Sequence, residues 1–334
     1  VIRRLVAAGL VLALLLGGAA ALAVHRLLAP AAPAGAPEVV FVVSPGETLA
    51  DVARGLEQEG LVRSAVAVEW LARVRGVAAR LHAGEYALSA DLEPEAILAR
   101  IAEGRVKTYR VVVPEGFTLV QIAERLGAAG LVDPEAFRRV ARDPATAPAL
   151  GVEGRTLEGY LFPETYRIPR GLRPEAVARI LVDQFLEVWR EIEPAARAQG
   201  LSMRETVTLA SIVEKETGNP AERPLIASVF RNRLERGMRL ETDPAVIYGI
   251  PDFDGNLRRR DLEDARNPYN TYRNSGLPPG PIASPGADAL RAVVEPADSD
   301  FLYFVSRNDG THTFSRSYRE HVLAVNKYQR SRSR

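Results

Sequence analysis

The sequence predicts an α+β protein with a single N-terminal transmembrane helix, a small strand-and-helix subdomain and a larger mixed α+β domain. Residues 5–24 carry no charge, a strand-turn-helix unit occurs twice, and from about residue 170 long helical patterns give way to two short strand patterns.

Residues 5–24, LVAAGLVLALLLGGAAALAV, match the ~20 apolar residues a helix needs to cross a bilayer. Arg3 and Arg4 precede the run and His25 and Arg26 follow it, a slight asymmetry favouring an inside N-terminus. A cleaved signal peptide with the small-residue tail AAALA is the alternative; the length of the run favours a retained anchor. Either reading sends the remainder out of the cytoplasm, and a retained anchor makes the protein single-pass. Residues 29–37, APAAPAGAP, read as a proline-rich extended spacer.

The repeat follows. Thr48-Leu49, Val52-Ala53, Leu56 and Gly60-Leu61-Val62 recur 70 positions later as Thr118-Leu119, Ile122-Ala123, Leu126 and Gly130-Leu131-Val132. Each copy begins with a β-branched stretch (39–43 and 111–113), turns at Pro and Gly, and continues with apolar residues at helical spacing. Thr48 with Asp51 and Thr118 with Gln121 stand at capping-box separation, although only the second has the preferred Glu or Gln partner. Gly60 and Gly130 suit helix stops.

Composition narrows the chemistry. Of 334 residues, 47% are hydrophobic and 25% charged, an ordinary globular balance. Net charge is +1, from 43 basic and 42 acidic residues, so there is no global field for nucleic acid. Without cysteine, disulfides and thiol chemistry are excluded. His25, His82, His312 and His321 are too scattered for a recognisable metal motif, and no cofactor is expected.

The C-terminal half predicts helices over 174–192, 203–217 and 222–236, then a hairpin joining 301–305 to 311–314 around Asn308-Asp309-Gly310. Helix 203–217 is apolar over more than half its circumference, so it should be buried, yet it ends in Glu214-Lys215-Glu216. Residues two apart on a helix do not face each other, so the two glutamates cannot form a dyad. Pattern alone does not choose between them. Gly218-Asn219-Pro220 stops the helix beside Glu216, where the helix-end field and desolvation both raise a carboxyl pKa; these arguments lean toward Glu216 as proton donor. Glu214 could pair with Arg223, Arg231, Arg233 or Arg239.

Downstream, turn-rich sequence concentrates Asp243, Tyr248, Tyr269, Asn270, Thr271, Tyr272 and His312. Tyrosines that stack on sugar faces and amides that bond hydroxyls suit a carbohydrate cleft.

These motifs, ASIVEKET, ASVFRNRLERGMRLETDPAVIYG, NPYNTYRNSGLPPGPIASPG, the FLYF and THTF ending, and EGYLFPETY at 158–166, resemble the endolytic murein transglycosylases of the YceG-like (MltG) family. The first repeat copy resembles the front half of a LysM module, a βααβ fold that binds N-acetylglucosamine-containing glycans. Residues 64–74 would supply its second helix and 84–88 its closing strand.

The family resemblance implies a short cytoplasmic segment (1–4), a transmembrane helix (5–25), a Pro/Ala linker (26–37), a LysM-like subdomain (38–105) and a catalytic region (106–334, core 170–334). It implies cleavage of the β-1,4 bond from N-acetylmuramic acid to N-acetylglucosamine in nascent peptidoglycan, leaving 1,6-anhydromuramic ends and terminating glycan elongation during wall assembly. The second glutamate of the family's ExE pair maps to Glu216, the expected single general acid/base. Asp243, Tyr248, Tyr269, Asn270, Tyr272 and His312 are expected to bind substrate. The expected partners are glycan strands, the inner membrane and peptidoglycan synthases. A water-using muramidase with Asp243 as second carboxylate and a noncatalytic wall-binding scaffold are the alternatives.

Overall fold

The computed structural model describes residues 2–330 and divides into two compact units, residues 1–109 with 169–171 and residues 110–168 with 172–334. The first unit opens with helix α1 (Ile2–Leu27). Its apolar stretch, Gly9–Leu27, lies against no protein surface, with Leu14 at 75% exposure. Past it the order is β1 (Glu38–Val43), α2 (Leu49–Gln58), α3 (Ala65–Val74), β2 (Gly84–Ser89) and α4 (Pro94–Ala102). β1 and β2 pair antiparallel from Glu38 opposite Ser89 to Val43 opposite Gly84. Alternation along β1 puts Phe41 and Val43 into a core with Val52, Leu56, Val68, Leu88 and Ile97, as period-two side-chain geometry requires.

The Pro/Ala segment, expected as an extended spacer, is bonded to the subdomain at several points. Arg63 donates from Nε to the Pro30 carbonyl (2.8 Å), and the Ala32 amide donates to the Ala90 carbonyl (2.8 Å). The Gly35 amide bonds Asp91 (2.8 Å), and Ser89 donates to the Ala36 carbonyl (2.9 Å). Leu28, one residue beyond α1, packs against the subdomain core. Extended chain leaves its own peptide groups unpaired, and here the neighbouring loop and strand satisfy several of them.

The two repeat copies lie one in each unit. Both capping boxes form, with Asp51 serving the first as Gln121 serves the second. Gly60 and Gly130 take the same left-handed backbone (φ +67), which glycine adopts without a Cβ penalty.

β3 (Thr108–Val112) and β4 (Thr165–Pro169) form a two-stranded sheet, along which the chain passes between the units. The second unit continues with α5 (Leu119–Ala128), α6 (Pro134–Arg142), α7 (Thr146–Ala149) and the long α8 (Pro174–Ala198). Next come α9 (Met203–Glu216), α10 (Arg223–Glu235), α11 (Asp243–Tyr248), α12 (Arg259–Glu263) and α13 (Ala287–Val294). Strands β5 (Tyr303–Ser306) and β6 (His312–Ser315) then form an antiparallel hairpin, followed by α14 (Tyr318–Val325). The hairpin turn uses left-handed backbone at Asn308 and Gly310.

Helix α9 is the centre of this unit. Ser202 caps it with a complete capping box, and every residue from Thr206 to Val213 is buried. Helices α8, α10, α11 and α13 all pack on it. Burying an aliphatic side chain of this kind contributes about 1.5–3 kcal/mol, so Val207, Leu209, Ile212 and Val213 together oppose the cost of burying charge at the helix end. The LPPGPIASPG segment is part of the core: the Ile282 amide donates to Ser211 Oγ (3.0 Å), while Ser284 exchanges backbone bonds with Gly116 (2.9 Å) and Phe117 (2.8 Å). Gly159 is required where this segment meets α9. Its φ is +85, and a Cβ there would stand 2.5 Å from Pro281 and 2.8 Å from Val207.

Candidate active site

The three residues Glu214-Lys215-Glu216 diverge at the end of α9. Glu214 turns inward, its side chain 6% exposed, and its carboxylate accepts from Arg223 (2.9 Å) and from the Gly286 amide (3.1 Å). Arg223, 7% exposed, also reaches Glu115 (3.1 Å). Burial raises the Glu214 pKa, against pulls from the Gly286 amide and Arg223. Of the four arginines named from sequence, Arg223 is the partner. Lys215 donates to the Gly116 carbonyl (3.2 Å).

Glu216 ends the helix against a cavity of about 310 Å³. Its Oε1 accepts from the Thr242 hydroxyl at 2.5 Å, and its other oxygen has no hydrogen-bond partner among the described residues. Burial pushes its pKa up to about 7. The Thr242 hydrogen bond lowers it, the Asp243 charge raises it, and weaker pulls from His312 and Arg233 lower it. A carboxyl poised near neutrality can both give and take a proton at ordinary pH.

Thr242 is held in place by backbone rather than by its own rotamer alone. Its amide donates to Thr271 Oγ1 (3.0 Å), and that hydroxyl donates back to the Thr242 carbonyl (3.2 Å). The preceding residue, Glu241, adopts φ +52, a left-handed conformation unusual for a residue with a Cβ. Its amide bonds the Thr271 carbonyl (3.2 Å). The 241–242 and 271 segments therefore lock each other, and the strained residue aims the next hydroxyl at Glu216.

Asp243 and Tyr272 line the same cavity, and the Tyr272 hydroxyl donates to Asp243 at 2.7 Å. Burial raises the Tyr272 pKa, and Asp243 raises it further, so its phenol stays a donor. Arg233 forms another wall. Its guanidinium is pinned to the Leu302 and Leu240 carbonyls (2.7 and 2.8 Å), tying α10 to the hairpin entrance. Phe304 from β5 and His321 from α14 complete the enclosure.

The other expected substrate residues lie elsewhere. Asn270 is a correction: it is fully buried, and its amide donates to the carbonyls of Asp261, Leu262 and Asp264 (3.2, 3.1 and 2.8 Å) while its oxygen accepts the Tyr272 amide (3.0 Å). With all this capacity spent on backbone, it shapes the loop that carries Tyr272 and has nothing left for a sugar. Tyr248 and Tyr269 contact each other edge to face (4.8 Å) and line neighbouring cavities instead of the Glu216 cavity. His312 sits one layer behind, its Nδ1 2.7 Å from Glu222 and its ring against Phe304.

Sequence reasoning missed Thr242, Arg233 and His321. His321 stacks on Tyr303, and its buried Nδ1 has no hydrogen-bond partner among the described residues; burial, then Arg233, lowers its pKa. It also passed over Glu158 as a chemical group. This carboxylate is 5% exposed and lines a cavity of about 400 Å³ with Arg142 and Tyr248. Burial pushes its pKa to about 7, although it accepts from the Leu119 amide (2.9 Å) and the Tyr248 hydroxyl (3.0 Å). Among the described residues no group of three or more His, Asp or Glu is arranged to hold a metal.

The model of the YceG-like family matches residues 41–327. An endolytic murein transglycosylase of Bacillus subtilis is 30% identical over 96% of this chain and 92% of its own. One from Streptococcus pneumoniae is 31% identical over 80% of this chain and 54% of its own. The crystal structure of a yceG-like protein of Listeria monocytogenes is 30% identical, with a TM-score of 0.59 covering 86% of this chain and 98% of that one.

Proposed function

The chain belongs to the YceG-like family, and from that premise we propose that it is an endolytic peptidoglycan lytic transglycosylase with Glu216 as its single general acid/base. The observation that carries this reading is the Glu216 carboxyl, tuned to about 7, with one oxygen engaged by Thr242 and the other left unpartnered in the cavity.

In this reaction protonated Glu216 gives its proton to the glycosidic oxygen as the muramic C1–O bond breaks. The resulting carboxylate then takes the proton of the muramic 6-hydroxyl as that oxygen bonds to C1, so the 1,6-anhydro ring closes without water. The nucleophile is part of the substrate, which removes the need for a second carboxylate and supplies the proximity that a free water would lack. Burial keeps Glu216 protonated and the Asp243 charge adds to it, and Asp243 with Tyr272 is placed to orient the sugar. In this role the enzyme cuts nascent strands and terminates their elongation, and peptidoglycan synthases are the expected partner class.

We assign α1 to a membrane anchor: its long apolar stretch is uncovered by protein, which a bilayer would remedy. The catalytic unit then stands outside the cytoplasm, in the periplasm.

A water-using muramidase is the second reading, favoured by Asp243 lining the same cavity. The test is product analysis with the detergent-solubilised full chain on peptidoglycan. Anhydro-ended products absent from Glu216→Gln support the lytic reading. Reducing ends alone make it a hydrolase, and an unaffected Glu216→Gln variant in cells makes it a scaffold.

A further inference from the structure

Helix α3 carries an apolar stripe that the subdomain does not use. Its inner face, Ala65, Val68, Leu71 and Ala72, is buried in the core. On its outer face Val66, Trp70 and Val74 follow one another at four-residue spacing and are 76%, 53% and 62% exposed. Residues so spaced stack along one side of a helix, so the three make a continuous strip.

The position of that strip follows from the strap described above. Leu28, the first residue beyond α1, packs on the subdomain core, and Arg63, two residues before α3, holds the Pro30 carbonyl at 2.8 Å. The subdomain cannot swing away on a free tether, because the chain is fastened to it at once where α1 ends. The start of α3 is thereby fastened beside the exit of the apolar span. The composition of the strip matches that position: a tryptophan between aliphatics, with arginines at its edges. Arg63, Arg73 and Arg75 flank it; Glu69 pairs with Arg73 and Glu95 with Arg75, each at 2.9 Å, which leaves the arginines in excess by one. Indole rings settle at the headgroup level, and arginine stems lie along apolar surface while their heads meet anionic lipid.

We propose that the Val66-Trp70-Val74 face of α3 is a second membrane contact, lying in the lipid headgroup region beside the α1 anchor. It rests on the anchor assignment made above. A lipid surface is the occupant because α3 begins beside the point where the assigned anchor ends, as the Arg63 bond to Pro30 requires.

The chain contains two tryptophans, and Trp189 is buried at 6% exposure, so Trp70 reports on its own surroundings. The full chain, with Trp189→Phe or with Trp189 kept as a constant background, is reconstituted in phosphatidylethanolamine–phosphatidylglycerol vesicles with brominated acyl chains. The expected result is that the protein floats with the vesicles and that bromines near the headgroups quench Trp70 about twofold or more, whereas deep bromines quench it less. Val66→Ser with Val74→Ser should abolish the quenching while flotation persists. A chain that floats with Trp70 unquenched overturns the proposal and leaves the anchor intact. A chain that does not float overturns the anchor and the proposal with it. Shielding of Trp70 that rises with protein density and shows no bromine quenching assigns the strip to a second copy and also overturns it.

Discussion

Glu216 and Glu158 are two carboxyls of one unit whose pKa values burial raises to the same level, about 7. Their surroundings differ in what is left over. Both Glu158 oxygens are engaged, one by the first amide of α5 and the other by Tyr248, so this carboxylate ties a helix start to the end of α11. Glu216 has one oxygen fixed by Thr242 and the other unpartnered beside a cavity. A raised pKa therefore marks desolvation, and the spare hydrogen-bonding capacity marks chemistry. Glu214 adds a third outcome at the same helix end: buried, charge-paired and closed off from reaction.

The sharpest way to break the comparison is to exchange the carboxyls for amides. Glu216→Gln should lower turnover about 10²–10⁴-fold, the usual worth of a general acid, with the fold retained. Activity assays on soluble glycan strands check the first, and circular dichroism the second. If Glu158→Gln produced an equal loss, the distinction drawn here would fail.

Removing the guanidinium of Arg223 tests the closed carboxylate. Arg223→Ala leaves Glu214 buried without its counter-charge and should cost about 3–5 kcal/mol in urea unfolding.

Glu158→Gln should act on stability alone. A carboxyl whose folded pKa lies above its unfolded one binds its proton more tightly in the folded state, so stability is highest below about 4.5 and declines as pH rises to about 7. The amide has no such loss. It should match the parent near pH 4.5 and exceed it at pH 8, by up to about 3 kcal/mol from the size of the shift, in chemical denaturation at the two pH values.

The smallest effect is the tuning of Glu216 itself. As an acid it works protonated, so activity should fall as pH rises through about 7. Thr242 stabilises the charged form. Thr242→Val should move that falling limb upward, by about one pH unit at most for a single hydrogen bond. Asp243 disfavours the charged form, so Asp243→Asn should move the limb downward. Rate profiles from pH 5 to 9 read both.

Much of this was legible in the sequence because local chemistry determined it. Helical spacing separated Glu214 from Glu216, Gly218-Asn219-Pro220 stopped α9 at Glu216, and the two Thr caps appear where the repeat indicated. What escaped depends on contacts between distant segments. Nothing in LETDP announces that Glu241 takes a left-handed backbone, or that Thr271 locks Thr242 against Glu216. Asn270 and Tyr272, two positions apart in one polar run, have opposite fates: one is consumed by backbone carbonyls and the other lines the cavity. Composition marks both as sugar-binding types and cannot tell which one the fold has already used. The proline-rich segment was read as a spacer for the same reason, since its partners, Arg63 and Ala90, come later in the chain.

The cavity walls arrive in a particular order. Glu216 is made midway through its unit, while Phe304 and His321 belong to the hairpin and helix that follow it by some hundred residues. A chain emerging from its N-terminal end carries its acid long before the pocket around it exists. The pocket that makes this carboxyl a usable acid is therefore complete only when the C-terminal hairpin and helix have folded into place.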